Sequence, residues 1–426
     1  MDNDARRQGW LVRSFSDPGI RCALVLAAVL RLLWAIWVPV VPSSDGLAYD
    51  IMALTLANEN VYGPHVSAPS SHWPPGTSFL YSLLYRGFGH VYWPVEALNV
   101  GLGVLIVFAA AALALSWFGI AAARVTAVLL AVWPSLILYT TVLASELPFI
   151  ALMLLALLAR MTISARTVLC AVVVGALAAA ATYVRVEGLL LPILFALSMP
   201  PTQQWRRRIA FASLAMLALL ILIAPWAWRN TKFYGQPTFI VTSSGTNLWM
   251  GNNPDSDGGY MPPPVLPVLN APDADAHLRR EAIDYIARNP GLFLWNSAVK
   301  AIRLHDRETI AWHWSRLGLE TVVSERTSHA VKWTAHLFWI AVLLFAVAGV
   351  LIGLRRSGWR LLLHPTTMIW LYFTAIHAVT IATQDRFHFP SNPFIAMYAS
   401  IALLVLGTRM SVVFPRLRGK LPAKIR

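Results

Sequence analysis

Two carboxylates and three guanidinium groups are the residues of this chain best suited to do chemistry. Asp45 lies in Ser43-Ser44-Asp45-Gly46-Leu47-Ala48-Tyr49-Asp50, just past the first long apolar run, Ile20 to Val41. Glu146 lies in a short turn, Ser145-Glu146, between two later apolar runs. A carboxylate near an acceptor hydroxyl can take its proton during a group transfer, and a second can orient the acceptor. The competing readings are local: Asp45 as a loop acid or helix N-cap, Glu146 as a charge favouring the start of the next helix. Arg185, Arg229 and Arg386 each stand at the end of an apolar run. A guanidinium there fits a phosphate in a fork geometry, or else snorkels or pairs with an acid such as Glu187 or Asp385. Asp50, one turn past Asp45, reads more simply as a solvated helix-face acid, and Glu96 as an interface residue. Arg31 sits in the middle of the first apolar run, where charge is costly, so a cavity or an acidic partner is expected for it.

The elements that must hold these groups are membrane helices. The 426 residues are 57% hydrophobic and 13% charged, with a mean hydropathy of +0.59. The apolar runs are continuous, not alternating, which fits spanning helices and excludes a β-barrel. Ten spans are expected, at roughly 20–41, 91–117, 125–142, 147–161, 167–184, 187–199, 208–228, 333–354, 361–381 and 392–409, the fourth and sixth short. The fold class is therefore an all-α polytopic membrane protein, a bundle of about ten transmembrane helices.

The net charge of +14 is a topology signal, not a nucleic-acid footprint. Arginines crowd the N-terminal segment, the 206–208 and 355–360 turns and the C-terminal tail, which marks these as cytoplasmic and puts both termini inside. Nearly all acids fall on the opposite side. Asp45, Glu146, Arg185, Arg229 and Arg386 thus share the outer face. Cys22 and Cys170 fall at or inside spans, so no disulfide framework is indicated. The first run is too long for a signal peptide and reads as a retained anchor.

Three segments follow from this topology. Residues 1–228 form an N-terminal transmembrane module whose first outer loop, 42–90, carries helices at Leu47 to Asn58 and Thr77 to Phe88. Between these helices lies a polar stretch ending in His72-Trp73-Pro74-Pro75-Gly76. Residues 229–332 form an outer-face loop domain with a Gly/Asn-rich stretch, Ser243 to Pro254, and helices at Asp275 to Arg288 and Gly291 to Asp306. Residues 333–426 hold the last spans and a basic cytoplasmic tail. No phosphate loop, nucleophile elbow, dinucleotide fingerprint or zinc spacing is present. No cofactor is required by the pattern, and a divalent cation held by Asp45 and Glu146 has no further ligand to support it.

Several pieces recur in a fixed order. An acid after the first span is followed by Tyr49 and a small-residue helix, Asp45 to Ala57. A Pro-Pro pair opens the next helix, Trp73 to Gly89. Then come Ser145-Glu146, Arg185-Val186-Glu187-Gly188, Pro225-Trp226-Ala227-Trp228-Arg229-Asn230, the Gly245 to Asn253 stretch, and Asp385-Arg386-Phe387 with Pro390. In this order the chain resembles the GT-C superfamily of glycosyltransferases, specifically bacterial relatives of the protein O-mannosyltransferases and aminoarabinose transferases. The resemblance implies transfer of a hexosyl or pentosyl group from a polyprenyl-phosphate-linked donor to a hydroxyl of a glycolipid, envelope glycan or protein. The work would be done on the outer face of the bacterial cytoplasmic (inner) membrane. Asp45 takes the place of the base acting on the acceptor, and Glu146 that of the acid of the second outer turn. Two positions depart from the pattern: Gly46 where many relatives have a second acid, and His72-Trp73 where many have a lysine or acid.

The expected site is then Asp45 and Glu146 as catalytic groups, with Arg185, Arg229, Arg386 and His72 toward the donor phosphate. Tyr49, Asp50, Trp73, Asn247 and Asp385 are expected toward substrate. The expected partners are the lipid-linked donor, a lipid or glycan acceptor and membrane lipids, without nucleic acid. The alternative is a transporter or flippase for lipids or lipid-linked sugars without transferase activity. That reading calls for charge at the bilayer midplane and paired broken helices. Here the ionisable groups gather at one face, with Arg31 the exception.

Overall fold

Apolar surroundings leave the main chain no partner but itself, so each uncharged run closes its own hydrogen bonds as a helix. The computed structural model describes residues 2–163, 166–199, 204–266 and 269–413. The basic tail from Arg416 to Arg426 lies outside the described residues. The chain is 79% helical, with no strand among the described residues. Six helices are long and apolar enough to cross a membrane: Pro18–Trp37, Trp93–Phe118, Thr167–Val184, Trp205–Tyr234, Glu325–Leu363 and Asp385–Thr408. A seventh crossing is the pair Ile120–Ala131 and Pro134–Thr141, bent by 56° at its break. The other three expected spans are shorter helices, Glu146–Thr162 of 17 residues, Val186–Leu197, and Pro365–Thr380 of 16 residues. Ten expected spans are thus met by ten helical positions, of which six or seven have full spanning length. The protein is a multi-pass membrane protein.

Small residues set the centre of the bundle. Ala109 to Ala112 and Ala114 on the Trp93–Phe118 helix are completely buried, and this helix packs against Pro18–Trp37, Ile120–Ala131 and Glu146–Thr162. Without bulky side chains the backbones approach closely, which is how apolar helices associate in lipid.

Before the first full helix pair closes, the chain leaves the bundle as two short packed helices, Asp45–Glu59 and Gly76–Phe88. Between residues 229 and 332 it forms four more, Ser244–Gly251, Ala271–Arg288, Pro290–Arg303 and Ile310–Leu319. The first and last of these were not expected. In the Ser244–Gly251 helix, Asp275 accepts from the first free N–H groups, Gly245 at 2.6 Å and Thr246 at 2.9 Å. A carboxylate at a helix N-terminus satisfies those donors and the dipole together, which stabilises a helix in a stretch rich in Gly and Asn.

Two buried networks fix how the bundle carries these outer elements. Arg31 has neither the cavity nor the acidic partner expected for it. Completely buried, it donates to the carbonyls of Leu130 and Ala131, each at 3.2 Å, and of Ala27 at 3.1 Å. Pro134 ends the Ile120–Ala131 helix and frees those last carbonyls, and the guanidinium caps them. Glu308, also completely buried, accepts from Trp133 at 2.7 Å, His388 at 2.9 Å and Asn392 at 3.2 Å. It ties the same break to the start of the last helix.

Gly103 faces Arg31 so closely that a Cβ there would lie 2.3 Å from Nε and 2.7 Å from Cδ. Gly to Ala inside a helix ordinarily gains about 1 kcal/mol. Here Gly103→Ala is expected to lose roughly 1–3 kcal/mol through overpacking, read as a lower thermal midpoint of the detergent-purified protein.

Candidate active site

The site begins with a strained turn. Ser44 adopts φ 51°, in the left-handed half of the backbone map, a conformation that costs energy for a residue with a side chain. It turns the chain into the Asp45–Glu59 helix and sets Asp45 on its first turn. The next residue packs tightly: a Cβ on Gly46 would meet the Leu143 carbonyl oxygen at 2.9 Å. That contact leaves no room for a side chain at this position. The facing turn is held from two sides. Asn99 donates to the carbonyls of Thr140 and Val142 at 3.1 and 3.3 Å, and the Tyr81 hydroxyl both donates to and accepts from the Ala144 main chain. Ser145 and Glu146 follow directly.

Asp45 meets Arg386, whose Nη1 donates to Asp45 Oδ2 at 2.5 Å. The Arg386 guanidinium lies over the rings of Trp314 at 4.8 Å and Phe387 at 5.1 Å. Asp45 Oδ1 accepts no hydrogen bond from the described residues. The second arginine sits deeper. Arg185 Nη1 donates to Glu146 Oε1 at 3.0 Å and Ser145 Oγ at 3.1 Å, and Nη2 to Glu187 at 3.2 Å. Its guanidinium also lies over Phe387, at 5.7 Å. Glu187 in turn contacts His377 Nε2 at 2.9 Å. The Nε atoms of Arg185 and Arg386 and Oε2 of Glu146 are buried without a partner among the described residues. The Nε atoms of Arg31 and Arg160 are in the same state away from the cavity, so what marks Arg185 and Arg386 is the cavity they border.

These groups border a cavity of about 250 Å³, lined by Asp45, Tyr49, His72, Trp73, Arg185, Asn247 and Arg386 among others. Seven of the residues expected from sequence are thus brought together. Glu146 lies just behind the wall, only 1% exposed, and reaches the cavity through Arg185. Burial, aided by Asp45 and Glu146, pushes the Tyr49 phenol well above its usual range. Burial pushes the His72 imidazole down against the pull of Asp45 and Asp275, toward the neutral form, which keeps one N–H donor.

Three expected residues stand elsewhere. Asp50 accepts from Tyr85 at 2.5 Å and Tyr92 at 3.0 Å and contacts His90 at 3.0 Å, clasping the first-loop helices. Arg229 donates to the carbonyls of Ser70 at 2.9 Å and Tyr62 at 3.3 Å, stitching that loop to the Trp205–Tyr234 helix. Asp385 caps the Ile310–Leu319 helix, accepting from Thr309 N at 2.5 Å and Ile310 N at 3.1 Å. Arg386 pairs with Asp45, not with its neighbour Asp385.

Glu187 and Phe387, which the sequence offers only as a partner for Arg185 and as part of the Asp385-Arg386-Phe387 piece, line the cavity. Trp314 and His377, which nothing in the sequence marks, stand behind the wall against Arg386 and Glu187. Lys300 is also buried, and donates to the carbonyls of Gly251 at 3.2 Å and Ile381 at 3.4 Å. It caps two helices whose ends line the cavity, and burial pushes its ammonium down to about 8. Among the described residues no group of three His, Cys, Asp or Glu side chains is arranged to hold a metal ion.

No family model and no curated protein sequence matches this chain. Among solved structures, it is similar to the archaeal oligosaccharyltransferase AglB from Archaeoglobus fulgidus in complex with an inhibitory peptide and a dolichol-phosphate. The two are 14% identical, with a TM-score of 0.56 over 97% of this chain and 53% of that one. The oligosaccharyltransferase of the same organism in complex with zinc and sulfate gives 16% identity and a TM-score of 0.55, covering 92% of this chain and 50% of that one. The chain has the GT-C fold. It spans about half the length of the oligosaccharyltransferase chains it matches. ArnT from Cupriavidus metallidurans bound to undecaprenyl phosphate covers 95% of this chain and 81% of its own at 15% identity. Its TM-score of 0.44 is too loose to carry a fold argument.

The two acids differ in what surrounds them. Glu146 is 1% exposed and holds a buried arginine, whereas the Asp45 side chain is 23% exposed at the cavity. Glu146→Ala is expected to cost about 3 kcal/mol, the consequence of stranding a buried charge. Asp45→Ala is expected to cost less, roughly 1–2 kcal/mol, because the pair faces the cavity and the arginine left behind is only partly shielded. Thermal unfolding of the two variants side by side checks the contrast.

Proposed function

We propose that this protein is a membrane glycosyltransferase moving a sugar from a polyprenyl-phosphate-linked donor to a hydroxyl acceptor. The observation that carries the reading is one carboxylate at an open cavity, with one oxygen held by an arginine and the other unengaged, inside a GT-C fold. In this reading the donor phosphate lies against Arg386 and Arg185, with His72 adding a neutral N–H. Phe387 keeps the two guanidinium groups in register by presenting its ring to both. Cationic groups placed where negative charge develops are the strongest means such a site has of lowering a barrier.

The step is a single inverting displacement. The acceptor oxygen attacks the anomeric carbon as its proton passes to Asp45 Oδ1. The bond between that carbon and the phosphate oxygen breaks, and its electron pair leaves on the polyprenyl phosphate. Arg386 orients Asp45 through Oδ2, and Glu146 holds Arg185 in place. Tyr49, Trp73 and Asn247 line the space open to the sugar. Nothing in this step calls for a metal ligand set.

The basic segments support a chain with both termini in the cytoplasm and the cavity on the outer face of a bacterial cytoplasmic membrane. We assign residues 1–228, 229–332 and 333–426 to an N-terminal membrane module, an outer loop domain, and the closing helices with a basic cytoplasmic tail. The transport alternative leaned on Arg31, the one mid-span charge. Its bonds to the carbonyls of Ala27, Leu130 and Ala131 make it a structural cap and remove that support.

Asp45→Asn is expected to bind a polyprenyl-phosphate sugar as the parent does while turnover falls by at least about a hundredfold, the scale of a lost general base. Measured donor binding and single-turnover transfer read the two quantities separately. Full turnover by the folded variant would remove Asp45 from the chemistry.

A further inference from the structure

His377 stands near the end of the Pro365–Thr380 helix, 3% exposed, one layer behind the cavity. Both ring nitrogens are engaged. Nδ1 lies 2.8 Å from the Phe373 carbonyl oxygen, an acceptor only, so Nδ1 carries a proton. Nε2 lies 2.9 Å from Glu187 Oε1, the oxygen to which Arg185 also donates at 3.2 Å. The imidazole also stacks on Phe387, at 4.7 Å between centroids and 8° between planes. Phe387 is the ring over which both Arg185 and Arg386 lie. One side chain therefore grips the two arginines by two routes, through Glu187 and through Phe387.

We infer that His377 is a positioning residue that sets both cavity arginines for an anionic phosphate. This rests on the proposed reading of the cavity as a lipid-phosphate site. Without the ring, Glu187 is left to Arg185 alone, and Phe387 loses the stacked face that holds it beneath both guanidinium groups. On the same helix Tyr372 donates to the Glu187 carbonyl at 2.7 Å, which holds the Glu187 main chain independently of the ring.

The test is binding of a short-chain polyprenyl phosphate, without sugar, to the full-length protein in detergent. His377→Ala, which loses both the Glu187 contact and the Phe387 stack, is expected to bind roughly tenfold more weakly, the scale of one charge-assisted hydrogen bond. His377→Gln returns a donor to Glu187 and is expected to recover part of that loss, a rescue that general damage to the fold would not give. Glu187→Gln weakens the grip on Arg185 from the other side, and is expected to bind more weakly in the same way if the histidine variants do not fold. Folded variants that bind with the parent's affinity would overturn the inference. Absence of binding by the parent would overturn the lipid-phosphate reading of the cavity, and the inference with it.

Discussion

The ion pair between Asp45 and Arg386 joins residues 341 positions apart in the chain, and most of the structure exists to bring them to 2.5 Å. Asp45 arrives on a helix that starts at a strained serine and rests on the Leu143 carbonyl. Arg386 arrives on a short turn whose neighbour, Asp385, is locked to the Ile310–Leu319 helix. That turn is pinned from behind by Glu308 through His388 and Asn392. Through Trp133, Glu308 also fixes the break in the bent span. A charged pair at an open cavity contributes little to stability on its own. Its geometry is imposed by packing around it, as a preorganised site requires.

The bundle answers buried charge in two ways. Arg31 and Lys300 have no acid; each donates to main-chain carbonyls left free where a helix stops. These caps complete helix ends that would otherwise leave acceptors unsatisfied in an apolar setting. Arg185 is instead placed between two acids, and Arg386 against one acid and two aromatic rings. Arg31 also keeps a buried Nε without a partner among the described residues, so what sets Arg185 and Arg386 apart is that they border the cavity.

Much of this was legible in the sequence. The helical bundle followed from uncharged runs, and of the seven expected residues that line one cavity Asp45, Arg185 and Arg386 are charges at the ends of apolar runs, while Tyr49, His72, Trp73 and Asn247 come from the outer loops. What failed were inferences from a residue's nearest neighbours. Arg386 was weighed against the adjacent Asp385, yet its partner comes from the other end of the chain. Arg229 has the look of a phosphate ligand and serves two loop carbonyls. Asp385 and Asp50 were read as facing substrate or solvent, and both are inner partners of their own neighbourhood. Periodicity cannot report which loops meet. His377 and Phe387 were hidden because a histidine and a phenylalanine near a span read as packing; only the stacked geometry gives them a role. The Ser244–Gly251 helix was hidden because its stabilising carboxylate, Asp275, lies far along the chain.

The most direct measurement of the central claim is the fate of a labelled polyprenyl-phosphate sugar supplied to the purified chain in liposomes with a bacterial envelope lipid and glycan extract as acceptor. The account predicts that the label passes to an acceptor with inversion at the anomeric carbon and that free polyprenyl phosphate accumulates in equal amount. Donor that stays intact, or that crosses the bilayer with its sugar still attached, would contradict it.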